Sequence, residues 1–195
     1  VLDYARPAPG EATDRAIVTV IFMRLNTRPA GPPPAWPPGA TLTPERLDVA
    51  SYRKLYDEVG TPWLWWLRRV MPDHLLARHL TSPAVALHLL RLNGEVAGFF
   101  ETDASLLSDI NLNYFGLKPE FIGQGLGRQM LAAAIESVFA RQPAPRGMTL
   151  NTCSADHPRA LPNYRAAGFV ETRRVREVWD IPRRLGLTVP GPLRG

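Results

Sequence analysis

Residues 110 to 139 constrain the fold most, because their apolar pattern changes from strand to helix across a cluster of glycines. Ile110, Leu112, Tyr114 and Phe115 form a short β-prone run. It stops at Lys118-Pro119, since proline lacks a ladder donor and restricts the residue before it. Gly123, Gln124, Gly125, Leu126 and Gly127 follow. From Leu126 onward, Met130, Leu131, Ala134, Ile135, Val138 and Phe139 recur at the spacing of one buried helix face. The reading is strand, tight turn, amphipathic helix. At the mouth of such a helix, free N–H groups and the positive end of the dipole favour an anion, and glycines let it approach closely. A phosphate or pyrophosphate fits there.

A P-loop would need Lys-Ser/Thr after its last glycine, whereas Gly127 is followed by Arg128-Gln129. A dinucleotide fingerprint needs G-x-G-x-x-G, and the spacing here is G-x-G-x-G. The remaining bland reading is a helix capped by glycines.

Ile122-Gly123-Gln124-Gly125-Leu126-Gly127-Arg128 resembles the acetyl-CoA pyrophosphate loop of the GNAT superfamily of N-acetyltransferases, Arg/Gln-x-x-Gly-x-Gly/Ala, with Ile122 in place of the first Arg/Gln. A second stretch, His157 to Phe169, is similar to that family's N-x-x-A-x-x-x-Y-x-x-x-G-F signature, with His157 replacing Asn. The two blocks carry the resemblance over roughly residues 84 to 175; the first 80 residues resemble the family only in their order of elements.

A chain of 195 residues supports one well-buried core, so residues 1–180 are expected as a single domain. No apolar stretch approaches the length of a membrane span, which points to a soluble protein. The single cysteine, Cys153, excludes an intramolecular disulfide framework and a Cys-based metal cluster, and suits the cytoplasm. The net charge of +5 is arginine-based, with Lys54 and Lys118 the only lysines. Such a balance suits an anionic ligand like coenzyme A. It also keeps open a second reading, a non-catalytic CoA-binding or nucleic-acid-associated module. The arginines, however, are mostly spread along the chain and no nucleic-acid motif accompanies them.

In chain order, residues 1–16 read as a loose arm, Ile17 to Arg24 as a first strand, and residues 29–39 as a proline-rich linker with Trp36 pinning it to the body. A helix is expected from Thr43-Pro44-Glu45 to Gly60, with a second cap at Thr61-Pro62 opening a Trp-rich segment. Residues 73–80 read as a short helix with surface histidines His74 and His79. Ala84 to Leu92 and Glu95 to Thr102 flank Asn93-Gly94, a type I′ hairpin signal. Residues 103–109 turn into the central strand. After the helix come a strand from Met148 to Cys153, a helix from Asp156 to Ala167 closed by Gly168, and a last strand from Val170 to Asp180. Residues 181–195 form a Gly/Pro/Arg-rich tail expected to be disordered. The class is α+β: a mixed, mostly antiparallel sheet of about six to seven strands flanked by helices.

The resemblance implies transfer of an acetyl group from acetyl-CoA to a primary amine by direct attack. It implies a cofactor site of Phe115, Leu117, Ile122, Gly123, Gln124, Gly125, Leu126, Gly127, Arg128 and Tyr164, set where the central strand splays from its neighbour. Tyr164 is implied as general acid to the leaving thiolate, a role a phenol protonated at neutral pH can fill. The family's frequent catalytic Glu falls at Asn111, which cannot accept a proton but can position water. Asp109, Glu101 and His88 are the base candidates. Trp63 and Trp66 suggest an apolar or cationic acceptor, or equally core or dimer contacts; His157 is a substrate-side contact or a cap. A small-molecule amine is preferred over a protein acceptor, and a homodimer is expected from family habit and exposed apolar edges.

Overall fold

The computed structural model describes residues 2–106 and 108–195; Val1, where the expected arm begins, and Leu107, in the 103–109 turn, lie outside the described residues. Its elements are β1 (Thr13–Leu25), β2 (Ala40–Glu45), α1 (Val49–Gly60), α2 (Leu67–Val70), α3 (Asp73–Thr81), β3 (Val85–Leu92), β4 (Glu95–Asp103), β5 (Asp109–Leu117), α4 (Leu126–Phe139), β6 (Gly147–Cys153), α5 (Ala160–Ala166) and β7 (Val170–Pro182). Among the described residues these strands make one seven-stranded sheet ordered β2-β3-β4-β5-β6-β1-β7. Every neighbouring pair is antiparallel except β5 and β6.

One face of the sheet is covered by α4, whose Leu126, Met130, Leu131, Ala134, Ile135 and Val138 pack with Ile110, Leu112, Met148 and Leu150. Each of the larger aliphatic side chains there contributes roughly 1.5–3 kcal/mol by leaving water. The opposite face carries α1 and α3, with Tyr52, Leu55, Tyr56, Val59 and Leu76 against Leu87, Leu89 and Phe99. Gly116 lets α1 sit this close: a Cβ there would fall 2.5 Å from Val59 Cγ1. The hairpin signal holds, with Asn93 at φ 52° and Gly94 at φ 85°, and Trp36 packs against the main core.

Three expectations are corrected. Thr43-Pro44 belongs to edge strand β2, where a residue without N–H is tolerated, and α1 begins after Asp48, which accepts from Ser51 N at 2.7 Å. β1 lies between β6 and β7. The stretch before it is tied down, with a 3-10 turn at Asp3–Ala5, Ala5 buried, and β1 starting at Thr13. Nor is the tail loose. β7 extends to Pro182, Leu187 and Val189 are buried beside Ile181, and Arg194 bridges Ala16.

Candidate active site

β5 and β6 pair only from Asp109–Gly147 to Leu112–Leu150 and then separate. The cause is local. β5 keeps its partner β4 as far as Leu117, but the register skips Asn113, a β-bulge that bends β5 where its pairing with β6 ends. β6 meanwhile stays on β1 as far as Cys153. The two strands are thus held from opposite sides, and a cavity of about 1610 Å³ opens between them.

At one end of this cavity is the glycine turn. Gly123 and Gly125 sit at φ 92° and 82°, a region costly for other residues, and a Cβ on either would meet only open space. Gly125 is the N-cap of α4, and no side chain caps it. The helix therefore presents uncapped N–H groups and its positive end to the cavity, with Ile122, Gly127 and Arg128 beside them. These features, with the β6-facing edge of β5 unpaired beyond Leu112, fit an extended, anionic acyl carrier. Phe115 and Leu117 line the cavity as expected. Gln124 and Leu126 do not: Gln124 Nε2 donates to Glu120 O at 3.0 Å, and Leu126 is wholly buried under the sheet.

Tyr164, on α5, lies in the same wall, its ring edge-on to Phe115 at 6.1 Å. Among the described residues its hydroxyl makes no hydrogen bond. Burial, with the charge of Asp156 adding, raises its pKa well above the ordinary phenol value. Cys153 also lines the cavity, and burial with the Asp156 charge pushes its thiol up to about 12. It stays a thiol, which removes it as an acyl-enzyme nucleophile.

The cavity also has an aromatic wall, formed by Trp63, Trp65, Trp66 and Tyr114. Trp63 meets His157 edge-on at 5.1 Å, while Trp66 faces the cavity from a largely buried position in the core. Asn111 lines the wall too, its Oδ1 accepting from Thr149 at 3.0 Å and its amide donating to Asn113 at 2.6 Å.

The carboxylates proposed from sequence lie elsewhere. Asp109 forms an ion pair with Arg24 and does not line the cavity. Glu101 sits behind the wall, fully buried. Its Oε1 accepts from Arg68 Nη2 at 2.9 Å and Asn113 Nδ2 at 3.0 Å and lies 2.9 Å from His79 Nε2; its Oε2 accepts from the Tyr52 hydroxyl at 2.6 Å. Burial alone would raise its pKa, but the His79 hydrogen bond, the Arg68 charge and the Tyr52 hydroxyl bring it to about 2. His79 is therefore no surface residue. His88 stacks on Phe100 and also lies outside the lining, its pKa lowered by burial and then by Arg141.

Sequence reading missed Asp156, which lines the cavity and accepts with Oδ2 from Thr152 Oγ1 at 2.7 Å and Cys153 N at 2.9 Å. The sequence puts it at the start of the helix, whereas a bend at Asp156 and a turn at residues 158–159 precede α5, which starts at Ala160.

The sequence pattern of the Acetyltransferase (GNAT) family matches residues 52–169, from α1 to the end of the second signature. No curated protein sequence matches significantly. Among solved structures, a GCN5-related N-acetyltransferase from Kribbella flavida is similar with a TM-score of 0.60 at 16% identity, over 90% of this chain and 63% of that one. A tandem GNAT protein from the clavulanic acid biosynthesis pathway gives 0.60 at 18% identity, over 93% and 61%. The ribosomal-protein-S18-alanine N-acetyltransferase from Escherichia coli gives 0.55 at 18%, over 80% and 99%. This chain thus spans less than two thirds of the length of the first two. Identities this low speak for the fold alone; the family pattern covers more than half of the chain and takes in the bulged β5, the glycine turn and Tyr164, so the chain belongs to the GNAT family of acetyltransferases.

Proposed function

We propose that the protein transfers an acetyl group from acetyl-CoA to a primary amine of a small molecule. The observation that carries this reading is that one cavity takes in the uncapped glycine turn, the free edge of β5 and an aromatic wall. Bound acetyl-CoA supplies the activated acyl thioester. The backbone N–H groups of residues 123–127 and the Arg128 guanidinium hold its pyrophosphate. Backbone groups at Phe115 and Leu117 hold its pantetheine arm in the gap left by β6. Tyr164 keeps its proton at working pH and gives it to the departing sulfur. Asn111, fixed by Thr149 and Asn113, orients water. Trp63, Trp66 and His157 enclose the acceptor, which favours a small amine over a protein chain. The open β7 edge accords with a homodimer, and the single cysteine with a cytoplasmic location.

Thiol release from acetyl-CoA against a panel of amines tests the reaction, and calorimetry tests the cofactor site. Gly125→Glu adds bulk and negative charge where the pyrophosphate would lie, so acetyl-CoA binding should be lost while the far-UV circular dichroism spectrum is unchanged. Undiminished affinity in the folded variant would reduce the turn to a helix cap. Tight RNA or DNA binding without turnover would favour the non-catalytic reading instead.

A further inference from the structure

We propose that Asp156, through Oδ1, is the group that takes the proton from the acceptor's ammonium. This rests on the acetyl-transfer reading above and supplies the base that neither Asn111 nor a carboxylate on β4 or β5 provides. The position is built. Ser154 N donates to Thr19 O on β1, so the preceding N–H, that of Cys153, points away from β1 into the gap left by β5. Asp156 closes on that N–H and on the Thr152 hydroxyl with Oδ2 alone. No described residue makes a hydrogen bond of ordinary geometry to its Oδ1, although the Trp65 indole lies close enough to the carboxylate to lower its pKa.

The other carboxylates in the cavity wall also have partners, and Asp156 is the one whose charge acts on Tyr164. Asp180 pairs with Arg15 at 2.9 Å, Glu177 accepts from the Trp179 indole at 2.8 Å, and Asp103 accepts from Ser105 N at 2.8 Å. Of the titratable groups in the cavity wall, Cys153 on β6 and Tyr164 on α5 feel the Asp156 charge, and His157 and Arg159 share its loop. Burial raises the Asp156 carboxyl, opposed by its bonds to Thr152 and Cys153 and by the Trp65 indole. A raised carboxyl is better matched to an amine than the depressed one of Glu101.

The proton count closes. The ammonium gives one proton to Asp156, and the freed lone pair forms the C–N bond to the acetyl carbon. As the C–S bond breaks, sulfur takes the Tyr164 proton, and the second proton leaving nitrogen restores Tyr164 through water. Asp156 then returns its proton to solvent. The two groups are coupled, because the Asp156 charge helps to hold the Tyr164 proton in place. Once Asp156 is protonated that charge is gone, and Tyr164 becomes the stronger acid as the thiolate develops.

Asp156→Asn keeps an oxygen for Thr152 and Cys153 but cannot take a proton. With tryptamine, phenethylamine and spermidine as probes, kcat/KM at pH 7 for the best probe should fall about 100-fold or more, within the range of general bases, while acetyl-CoA affinity by calorimetry stays within about twofold. The deficit should shrink as pH rises toward the amine's own pKa, because neutral amine then arrives from solution. Independently of turnover, carbon-13 NMR of aspartate carboxyls, with the Asp156 signal assigned by its loss in the variant, should show titration above the ordinary value of about 3.9. An Asp156 signal titrating at or below that value overturns the proposal, as does a variant keeping kcat/KM within twofold at pH 7. Wild-type protein that turns over none of the amines tells against the acetyl-transfer reading itself, and the base role falls with it.

Discussion

Glu101 lies at the centre of a polar cluster that joins three helices to the sheet: Tyr52 comes from α1, Arg68 from α2, His79 from α3 and Asn113 from the bulge of β5. Glu101→Gln keeps the shape but removes the counter-charge of Arg68, which is itself largely buried. Its folded pKa of about 2 lies below the reference 4.5. That difference corresponds to about 3 kcal/mol of stability at pH 7. The sign follows from the direction: a depressed carboxylate contributes fully above pH 4.5, and the contribution is lost as pH falls toward 2. At pH 3 about 2 kcal/mol of it should be gone. Leaving Arg68 buried without its partner puts the cost of the substitution at roughly 3–5 kcal/mol at pH 7. Urea unfolding of both proteins, followed by tryptophan fluorescence at pH 7 and pH 3, measures the gap and its change while cancelling the other carboxylates. A cost below about 1 kcal/mol at pH 7, or a gap that does not narrow at pH 3, would refute this account of the cluster.

Tyr164→Phe keeps the ring against Phe115 and Phe169 and should lower kcat about 10-fold or more with acetyl-CoA affinity nearly constant. Single-turnover rates decide whether an unchanged kcat reflects slow product release or a wrong role. Deleting residues 186–195 removes Leu187 and Val189 from the cluster around Ile181. It should cost roughly 3 kcal/mol or more, read as a lower urea midpoint; an unchanged midpoint would restore the expectation of a loose tail.

The parts of this fold that could be read from sequence are set by short-range chemistry. Asn93-Gly94 announces its hairpin because few other pairs adopt two positive φ angles, and the Leu126–Val138 stripe announces α4 because its period is unambiguous. Thr43-Pro44 misleads because hydroxyl-proline is both a helix start and an edge-strand feature, and only the pairing of Thr43 with Leu89 and Pro44 with His88 decides between them. The tail misleads for a related reason: Gly, Pro and Arg suggest disorder, yet Leu187 and Val189 dock beside Ile181 and Arg194 bridges Ala16. Within the site, the glycine turn can be read from a local pattern, and Tyr164 only through the resemblance of its stretch to the family signature. Glu101, His79 and Asp156 cannot be read so, because what each does is fixed by partners on other elements. His79 meets Glu101 across 22 positions in sequence, and Glu101 meets Tyr52 across 49.

The placement of β1 has a consequence for how the chain reaches this structure. Val20 pairs with Cys153 on one side and Val175 on the other, and none of β1's sheet neighbours is made before residue 147. During synthesis β1 leaves the ribosome before β2 to β7 and is thus among the last of these strands to be paired. β2 to β5 can zip through sequential antiparallel neighbours, but β1 must wait through loop closures of more than a hundred residues, which are slow to form. In that interval Ile17-Val18-Thr19-Val20-Ile21 is an exposed β-branched segment with both edges open, a ready partner for another nascent chain. Folding yield, more than the stability of the finished domain, should therefore depend on how quickly β6 and β7 arrive to enclose it.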